Sequence, residues 1–155
     1  MPDFRASVII QKPIEDVFNF ASNADNTQDI MPYVIKREKV TDGPLRKGSK
    51  FIETRVVRRK KVTSEIELTE YEPYTTFTTK SDSNGVVVEY QYKFYTIEEG
   101  TQVEFDANIH LSGGLGFLTK FMLVKIIKKE DGDQLKNLKR LMETEEQKSV
   151  EKESN

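Results

Sequence analysis

The chain has 155 residues, of which 36% are hydrophobic and 32% charged, and its formal net charge is −2. This composition is typical of one soluble globular domain, and the near balance of charge gives no reason to expect a nucleic-acid partner. The sequence contains no cysteine, which excludes disulfide bonds, thiol chemistry and cysteine-ligated metal sites.

The N-terminal part predicts a strand followed by two short helices. Residues 4–11 alternate weakly and are rich in β-branched side chains, which indicates a strand. Pro13 suits the first position of a helix, and Glu15 and Asp16 lie in its first turn, where the helix dipole favours anions. The polar sequence SNADNTQD then leads to a second short helix that ends near Pro32. The start of the chain lacks the pattern of a signal peptide, so we expect a cytoplasmic protein.

Beyond this point the hydrophobic period changes to two, as in β-strands. Six strands are predicted, in residues 33–40, 50–59, 62–71, 75–80, 86–97 and 101–111. Turn sequences such as DGPLRKG, SDSNG and EEG separate them. Because the connections are short, we expect an antiparallel meander that the first strand joins.

The last of these strands separates its apolar and polar residues clearly. Val103, Phe105, Ala107 and Ile109 share one face, which we expect to point inward, and His110 lies on the other face. A single histidine without cysteine argues against a zinc site or a two-histidine iron site. We therefore predict no metal and no cofactor.

A basic run, RVVRRKK in residues 55–61, falls at the turn between two predicted strands. We expect a charged hairpin tip that keeps the sheet edge soluble, and binding of an anionic lipid or nucleic acid is the alternative. No aromatic residue interleaves the run, which weakens the nucleic-acid alternative.

A glycine-rich segment, SGGLGF in residues 112–117, joins the last strand to a helix. It lacks the Lys-Ser or Lys-Thr of a P-loop and no parallel strand follows, so it does not predict a nucleotide site. We expect a flexible turn in which Gly113 and Gly114 allow positive φ, and this turn is a candidate hinge.

The final helix is predicted from Gly113 to about Glu146, with a bend at Asp131-Gly132-Asp133. Three- and four-residue spacing gives it one apolar face that covers the sheet: Phe117, Phe121, Val124, Ile127, Leu135, Leu138 and Met142. The apolar cluster in residues 117–127 contains two lysines and falls short of the roughly 18 residues of a membrane span.

The first half of this helix also carries a second apolar face, formed by Leu115, Leu118, Met122 and Ile126. A basic band of lysines and Arg140 runs beside it. We expect the short N-terminal helices to cover this face through Phe20, Ile30 and Met31. A symmetric partner and an anionic membrane are the alternative covers.

The predicted architecture is a single α+β domain over residues 1–146, followed by a charged tail, 147–155, for which we expect disorder. A seven-stranded antiparallel sheet must cover its apolar face, and the long C-terminal helix is the element large enough to do so. Two short helices follow the first strand.

The order of several sequence marks resembles the START-like, birch-pollen-allergen-like (SRPBCC) helix-grip superfamily, particularly its polyketide cyclase/dehydrase family. These marks are KPIEDVF after the first strand, Gly48 before a strand, EYEP at 70–73, EEGTQV at 98–103 and LKNLKRLME near the end. The chain departs from the family in lacking a tryptophan after the second helix. The resemblance implies a curved seven-stranded sheet gripping the long helix, with a cavity between them.

On this resemblance, the inward face of the strands and the neighbouring helices would line the cavity. The predicted ligand-binding residues are Phe20, Ile30, Met31, Glu53, Tyr90, Tyr92, Phe94, Phe105, Ala107, Ile109, Leu118 and Met122. Glu53 would be a polar anchor, together with Arg55, if their strand parity points inward, and the sequence leaves that parity open.

Three functions remain open at this point. The first is binding or transport of a hydrophobic small molecule or lipid, by a monomer or homodimer that makes at most peripheral membrane contact. The second is a cyclase or dehydratase that uses Tyr90, Tyr92 or Glu53 to polarise a carbonyl or move a proton. The third is a protein-interaction module that binds through the second helix face. An inward Glu53 with a raised pKa would favour the enzyme, and a hydrocarbon-walled cavity would favour the carrier.

Overall fold

The computed structural model of the chain describes residues 1–112 and 116–154; for residue 117 and residues 145–154 it describes the backbone. The predicted turn and hinge at Gly113 and Gly114, and Leu115 of the second helix face, lie outside the described residues. Seven strands are present: β1 (Phe4–Ile10), β2 (Val34–Lys39), β3 (Lys50–Val57), β4 (Lys60–Glu72), β5 (Thr76–Ser83), β6 (Val86–Ile97) and β7 (Gly100–Leu111).

The helices lie in two groups along the chain. After β1 come α1 (Ile14–Ser22), a 3₁₀-helix (Ala24–Asn26) and α2 (Thr27–Ile30). After β7 come α3 (Phe117–Asp131) and α4 (Gln134–Ser154), which are separated at Gly132 and Asp133. The predicted bend in the C-terminal helix is therefore confirmed. Pro13 caps α1 rather than forming its first residue. The helical backbone of α4 continues into the charged tail, and a domain boundary at residue 146 stays a prediction.

All neighbouring strands pair antiparallel, in the order β1-β7-β6-β5-β4-β3-β2. The strands β2 to β7 form the predicted meander, and β1, the first strand of the chain, pairs with β7 at the edge of the sheet. The pairing register shifts near Val34 and near Leu68, so the ladders are irregular at these two points. The α+β architecture of a sheet covered by a long C-terminal helix is as predicted.

The core lies between the concave face of the sheet and helices α1 and α4. Phe18 of α1 is fully buried and contacts Tyr71, Tyr74, Phe77 and Phe94, with ring centroids 5.0–5.7 Å apart. From α4, three apolar side chains enter the same core: Leu135, Leu138 and Met142. Burying one large apolar side chain contributes about 1.5–3 kcal/mol, so α4 is firmly attached to the sheet.

The turn between β6 and β7 brings the backbone very close to the end of β1. Gly100 has φ +140°, and a Cβ atom there would lie 2.4 Å from the carbonyl oxygen of Ile10. Nearby, the hydroxyl of Thr101 donates to the carbonyl oxygen of Lys12 at 2.8 Å. A side chain at residue 100 would therefore push β1 away from the sheet.

We predict that Gly100→Ala lowers the free energy of unfolding by about 2–4 kcal/mol, because backbone strain adds to the steric clash. Gly48→Ala is the matched control, since Gly48 also has positive φ but open space around it. Strain alone should cost about 1 kcal/mol there. Urea denaturation measures both, and equal losses would contradict the close approach at Gly100.

Candidate functional site

A cavity of about 170 Å³ lies between α3 and the sheet. Near the β3–β4 turn its wall is apolar, with Val57 and Val62 facing Ile127 of α3. Farther along β3 the wall becomes polar and charged, through Glu53 and Arg55. Hydroxyl side chains from β4 and β5 complete the polar part: Ser64, Thr79, Ser81 and Ser83.

Strand alternation decides which residues of β3 reach this cavity. Phe51 and Glu53 are buried, whereas Ile52 and Val56 on the opposite face are exposed. Arg55 shares the inward parity of Glu53 and lines the same cavity. The parity that the sequence left open is thus inward for both charged residues.

These two residues belong to a network of four charges, in which the carboxylates are buried and the arginines partly buried. Arg37 of β2 donates to Glu53 from Nε at 2.8 Å and also from Nη2. Arg55 donates from Nε to the other oxygen of Glu53 and from Nη1 to Asp131 of α3 at 2.9 Å. The hydroxyl of Tyr90 donates to the second oxygen of Asp131 at 2.5 Å. Each carboxylate therefore has two partners, and the formal charges cancel.

The network keeps Glu53 and Arg55 ionised despite their burial. Burial alone would raise the pKa of Glu53, but the charges of Arg37 and Arg55 and their hydrogen bonds outweigh it and lower that pKa. For Arg55, burial is likewise outweighed, by Asp131 and Glu53, and its pKa is raised. Glu53 is consequently a paired anion, which is poorly suited to accept a proton at neutral pH.

The tyrosines remain neutral hydrogen-bond donors. Burial raises the pKa of Tyr90 well above its ordinary value, and the negative charge of Asp131 raises it further. Burial also raises the pKa of Tyr92, whose hydroxyl donates to the side-chain oxygen of Gln134. Gln134 in turn donates to the backbone oxygen of Asp131 at 3.1 Å. Two sheet tyrosines thus hold the junction of α3 and α4.

A larger depression, of about 670 Å³, lies at the surface where α1, the 3₁₀-helix and β2 meet. Arg37 lines both this depression and the cavity under α3, so it separates the two. The depression is open to solvent, whereas the cavity is more enclosed and contains the charge network. We therefore take the cavity as the candidate site.

The described residues contain no group of three or more histidine, aspartate or glutamate side chains placed to hold a metal ion. Within the same part of the chain, no helix combines the length and the hydropathy that crossing a membrane requires.

A family model described as "Polyketide cyclase / dehydrase and lipid transport" matches residues 1–143. The chain belongs to this family. A sequence comparison with curated proteins finds no match of significance.

Several solved structures share the fold of this chain. The crystal structure of Ara h 8.0201 is 14% identical with a TM-score of 0.72, covering 91% of this chain and 97% of that chain. TTHA0849 from Thermus thermophilus is 22% identical with a TM-score of 0.70, covering 88% of this chain and 93% of that one. The di-domain ARO/CYC protein StfQ, from the steffimycin biosynthetic pathway, is 14% identical with a TM-score of 0.72, covering 92% of this chain and 50% of that chain. At these identities the likeness establishes the helix-grip fold alone.

In this polyketide cyclase/dehydrase-like chain, two of the predicted ligand-binding residues, Glu53 and Tyr90, line the cavity. Others are buried in the closed core on the same side of the sheet: Tyr92, Phe94, Phe105, Ala107 and Ile109. Ile30 and Met31 border a small void of about 20 Å³ next to Tyr92, and Phe20 is half-buried at the core. A role for these residues in ligand binding stays a prediction.

The expected cover of the second helix face is wrong. Leu118 is 74% exposed and Met122 is 62% exposed, so the N-terminal helices do not bury them. Phe121, assigned to the sheet-facing side, is also 52% exposed. The physical reason is that α3 turns Val124 and Ile127 toward the sheet, while α2 packs beside α4 through Asn137, whose side chain donates to Ile30.

Sequence reasoning missed three members of the site: Arg37, Asp131 and Gln134. Asp131 carried a signal, since it begins the Asp-Gly-Asp break, but that break was interpreted as a bend and not as an anchor. Arg37 lies in a strand with charged residues on both faces, and its burial depends on Glu53, which is 16 positions away.

We predict that Glu53→Gln lowers the free energy of unfolding by about 3–5 kcal/mol, because it leaves two largely enclosed arginines without their shared, buried anion. Glu38→Gln is the control, since Glu38 forms an exposed pair with Lys36 at 2.8 Å and should cost less than about 1 kcal/mol. Chemical denaturation compares the two. Similar small losses would mean that the network does not hold the site together.

The lowered pKa of Glu53 also predicts a pH dependence. A carboxyl whose pKa is lower in the folded state stabilises the protein above its unfolded value, near 4.5, and loses that contribution as pH falls through the folded value. The stability gap between the wild type and Glu53→Gln should therefore narrow progressively below pH 4.5. A stability difference that widens as the pH falls would contradict the lowered pKa of Glu53.

Proposed function

We propose that this protein binds a hydrophobic small molecule or lipid in the cavity between α3 and the sheet. The observation that carries the proposal is the division of the cavity wall into an apolar part and a charged part. Val57, Val62 and Ile127 provide the apolar part near the β3–β4 turn. Arg55 and Tyr90 line the charged part. This division suits a ligand with an apolar body and one polar group.

The charged part supplies hydrogen bonds of fixed direction. The Tyr90 hydroxyl donates, and the guanidinium of Arg55 keeps donors beyond those used by Glu53 and Asp131. A ligand hydroxyl or carbonyl is the complementary group. Because the four network charges are already paired, the ligand does not need to neutralise a buried charge.

The volume of the cavity supports a binding mechanism in which α3 moves. Small-molecule sites usually enclose about 300–1,000 Å³, and this cavity holds about 170 Å³. Val124 and Ile127 are partly buried against the core, while the ends of α3 are tied by Lys120 to Asp3 at 3.4 Å and by Asp131 to Arg55. Outward displacement of α3 would enlarge the space without disturbing the core under α4.

The comparisons agree with this proposal at a coarse level. The description of the family includes lipid transport as well as cyclase and dehydrase activities. The neighbours of similar fold include ARO/CYC proteins such as BexL, from the BE-7585A biosynthetic pathway, and StfQ.

A cyclase or dehydratase activity is the second candidate, and Glu130 is the observation that favours it. This carboxyl lines the cavity, and its pKa is raised by partial burial and by the neighbouring charge of Asp131. A raised pKa brings a carboxylic acid closer to the range useful for proton transfer. Glu53 and Tyr92 are weaker candidates for this role, since the first is a paired anion and the second donates to Gln134.

We predict that Ser81→Phe, which fills the cavity, abolishes binding of a hydrophobic dye such as an anilinonaphthalenesulfonate. Lys80→Phe is the matched control, because Lys80 precedes Ser81 on β5 and is exposed on the other face of the sheet. Fluorescence titration and displacement by fatty acids, sterols or flat aromatic compounds measure the effect, and melting curves check that both variants fold.

Equal dye binding by Ser81→Phe and Lys80→Phe would contradict the cavity as the binding site. Native mass spectrometry of the freshly purified wild type then identifies any ligand that the protein retains. A displacing compound that is recovered unchanged after incubation supports a carrier. Recovery of a converted product, lost in Glu130→Gln, would instead support the enzyme.

A further inference from the structure

The outer face of α3 combines apolar and basic side chains with no cover from the described part of the chain. Four apolar residues on it are exposed by 45–74%: Leu118, Phe121, Met122 and Ile126. Exposed lysines lie among them and at the end of the helix: Lys125, Lys128 and Lys129. The ammonium group of Lys125 lies 4.7 Å from the centroid of the Phe121 ring. We call these seven residues the α3 outer face.

The β3–β4 turn carries a second basic group at an unusual backbone position. Arg58 and Arg59 have φ values of +49° and +68°, in the left-handed region. A two-residue hairpin turn of this kind favours Asn-Gly, because most side chains are strained there. Lys60 and Lys61 follow directly, and all four side chains are exposed. Strain of this kind is commonly found at functional positions.

These two basic groups flank the same cavity. Val57 and Val62, beside the turn, line its wall together with Ile127 of α3. Val57 and Val62 are themselves 39–40% exposed, which extends the apolar surface from α3 to the hairpin.

The charge of this region opposes that of the whole chain. The chain has a net charge of −2 and 26 acidic residues. None of these acidic residues falls within residues 117–129 or 55–64, which contain nine basic residues. Two of the nine are paired with acids, Lys120 with Asp3 and Arg55 with Glu53 and Asp131, and the other seven are exposed. The exposed surfaces of α3 and of the β3–β4 turn are therefore cationic.

We propose that the α3 outer face and the β3–β4 turn dock the protein on an anionic lipid membrane. Apolar side chains among lysines can enter the boundary between headgroups and acyl chains while the cations contact phosphate groups. A second copy of the chain fits less well, because a two-fold interface would place this cationic surface against itself. A role of docking in the transfer of a ligand into the cavity rests on the proposed function. The docking proposal itself does not depend on that function.

Vesicle co-sedimentation tests the proposal with two variant pairs. The wild type should bind phosphatidylcholine vesicles that contain phosphatidylserine, bind pure phosphatidylcholine vesicles weakly, and lose affinity as salt rises. Arg58→Gln with Arg59→Gln should weaken binding about tenfold or more, since each cation near an anionic surface contributes on the order of 1 kcal/mol. Leu118→Gln with Met122→Gln should weaken binding at all salt concentrations.

The controls remove the same chemistry elsewhere on the surface. Lys47→Gln with Lys80→Gln removes two exposed cations, and Val40→Gln with Tyr95→Gln removes two exposed apolar side chains. Both should bind vesicles as the wild type does. All variants should keep the wild-type melting temperature. The double arginine variant and both controls should also keep the dye binding measured without vesicles, which separates failure of docking from failure of the cavity.

Three results would overturn the proposal. The first is that the wild type does not bind anionic vesicles. The second is that the control variants lose as much vesicle binding as the test variants do. The third is a wild-type dimer, seen by sedimentation analysis without vesicle binding, that Leu118→Gln with Met122→Gln converts to monomer. That result would assign the α3 outer face to a second copy of the chain.

Discussion

Two arginines and two carboxylates buried beneath α3 are the interaction on which the arrangement of the site depends. Moving charges from water into a protein costs several kcal/mol each, so the group is stable as a complete set and costly to break. Its members come from β2, β3 and α3, and Tyr90 adds β6 through its bond to Asp131. The position of α3 over the sheet is therefore fixed by ions, whereas that of α4 is fixed by apolar packing.

Much of the fold could be predicted because most strands have one apolar face. In β7, alternation separates Val103, Phe105, Ala107 and Ile109 from polar neighbours, and the structure buries all four. The same logic placed the meander, the α1 region and the break before α4. For α3 it assigned the sheet-facing side correctly for Val124 and Ile127 and wrongly for Phe121, which is 52% exposed. Both apolar faces of α3 have helical spacing, and the choice depends on the space that the sheet leaves.

The candidate site was harder to predict, for a physical reason. Buried ions are exceptions to the alternation of apolar and polar residues along a strand. The sequence of β3 therefore does not show whether Glu53 and Arg55 point inward or outward. Their burial is favourable because Arg37 and Asp131 supply the opposite charges, and Asp131 is 76 positions from Arg55. Such pairing is a property of the folded topology. Tyr90 was found because its strand is strongly alternating, and it alone of the aromatic candidates reaches both the cavity and the network.

The break between α3 and α4 divides the C-terminal helical segment into parts of unequal local stability. Leu135, Leu138 and Met142 join α4 to the main core, so separating α4 approaches the cost of global unfolding. Separating α3 exposes Val124 and Ile127, which are already partly exposed, and breaks the contacts of Asp131. The two helices are thus held by different interactions, with Gly132 between them. Loss of the ion pairs of Asp131, and not of the apolar packing, would be the step that lets α3 move while α4 stays as a fixed support.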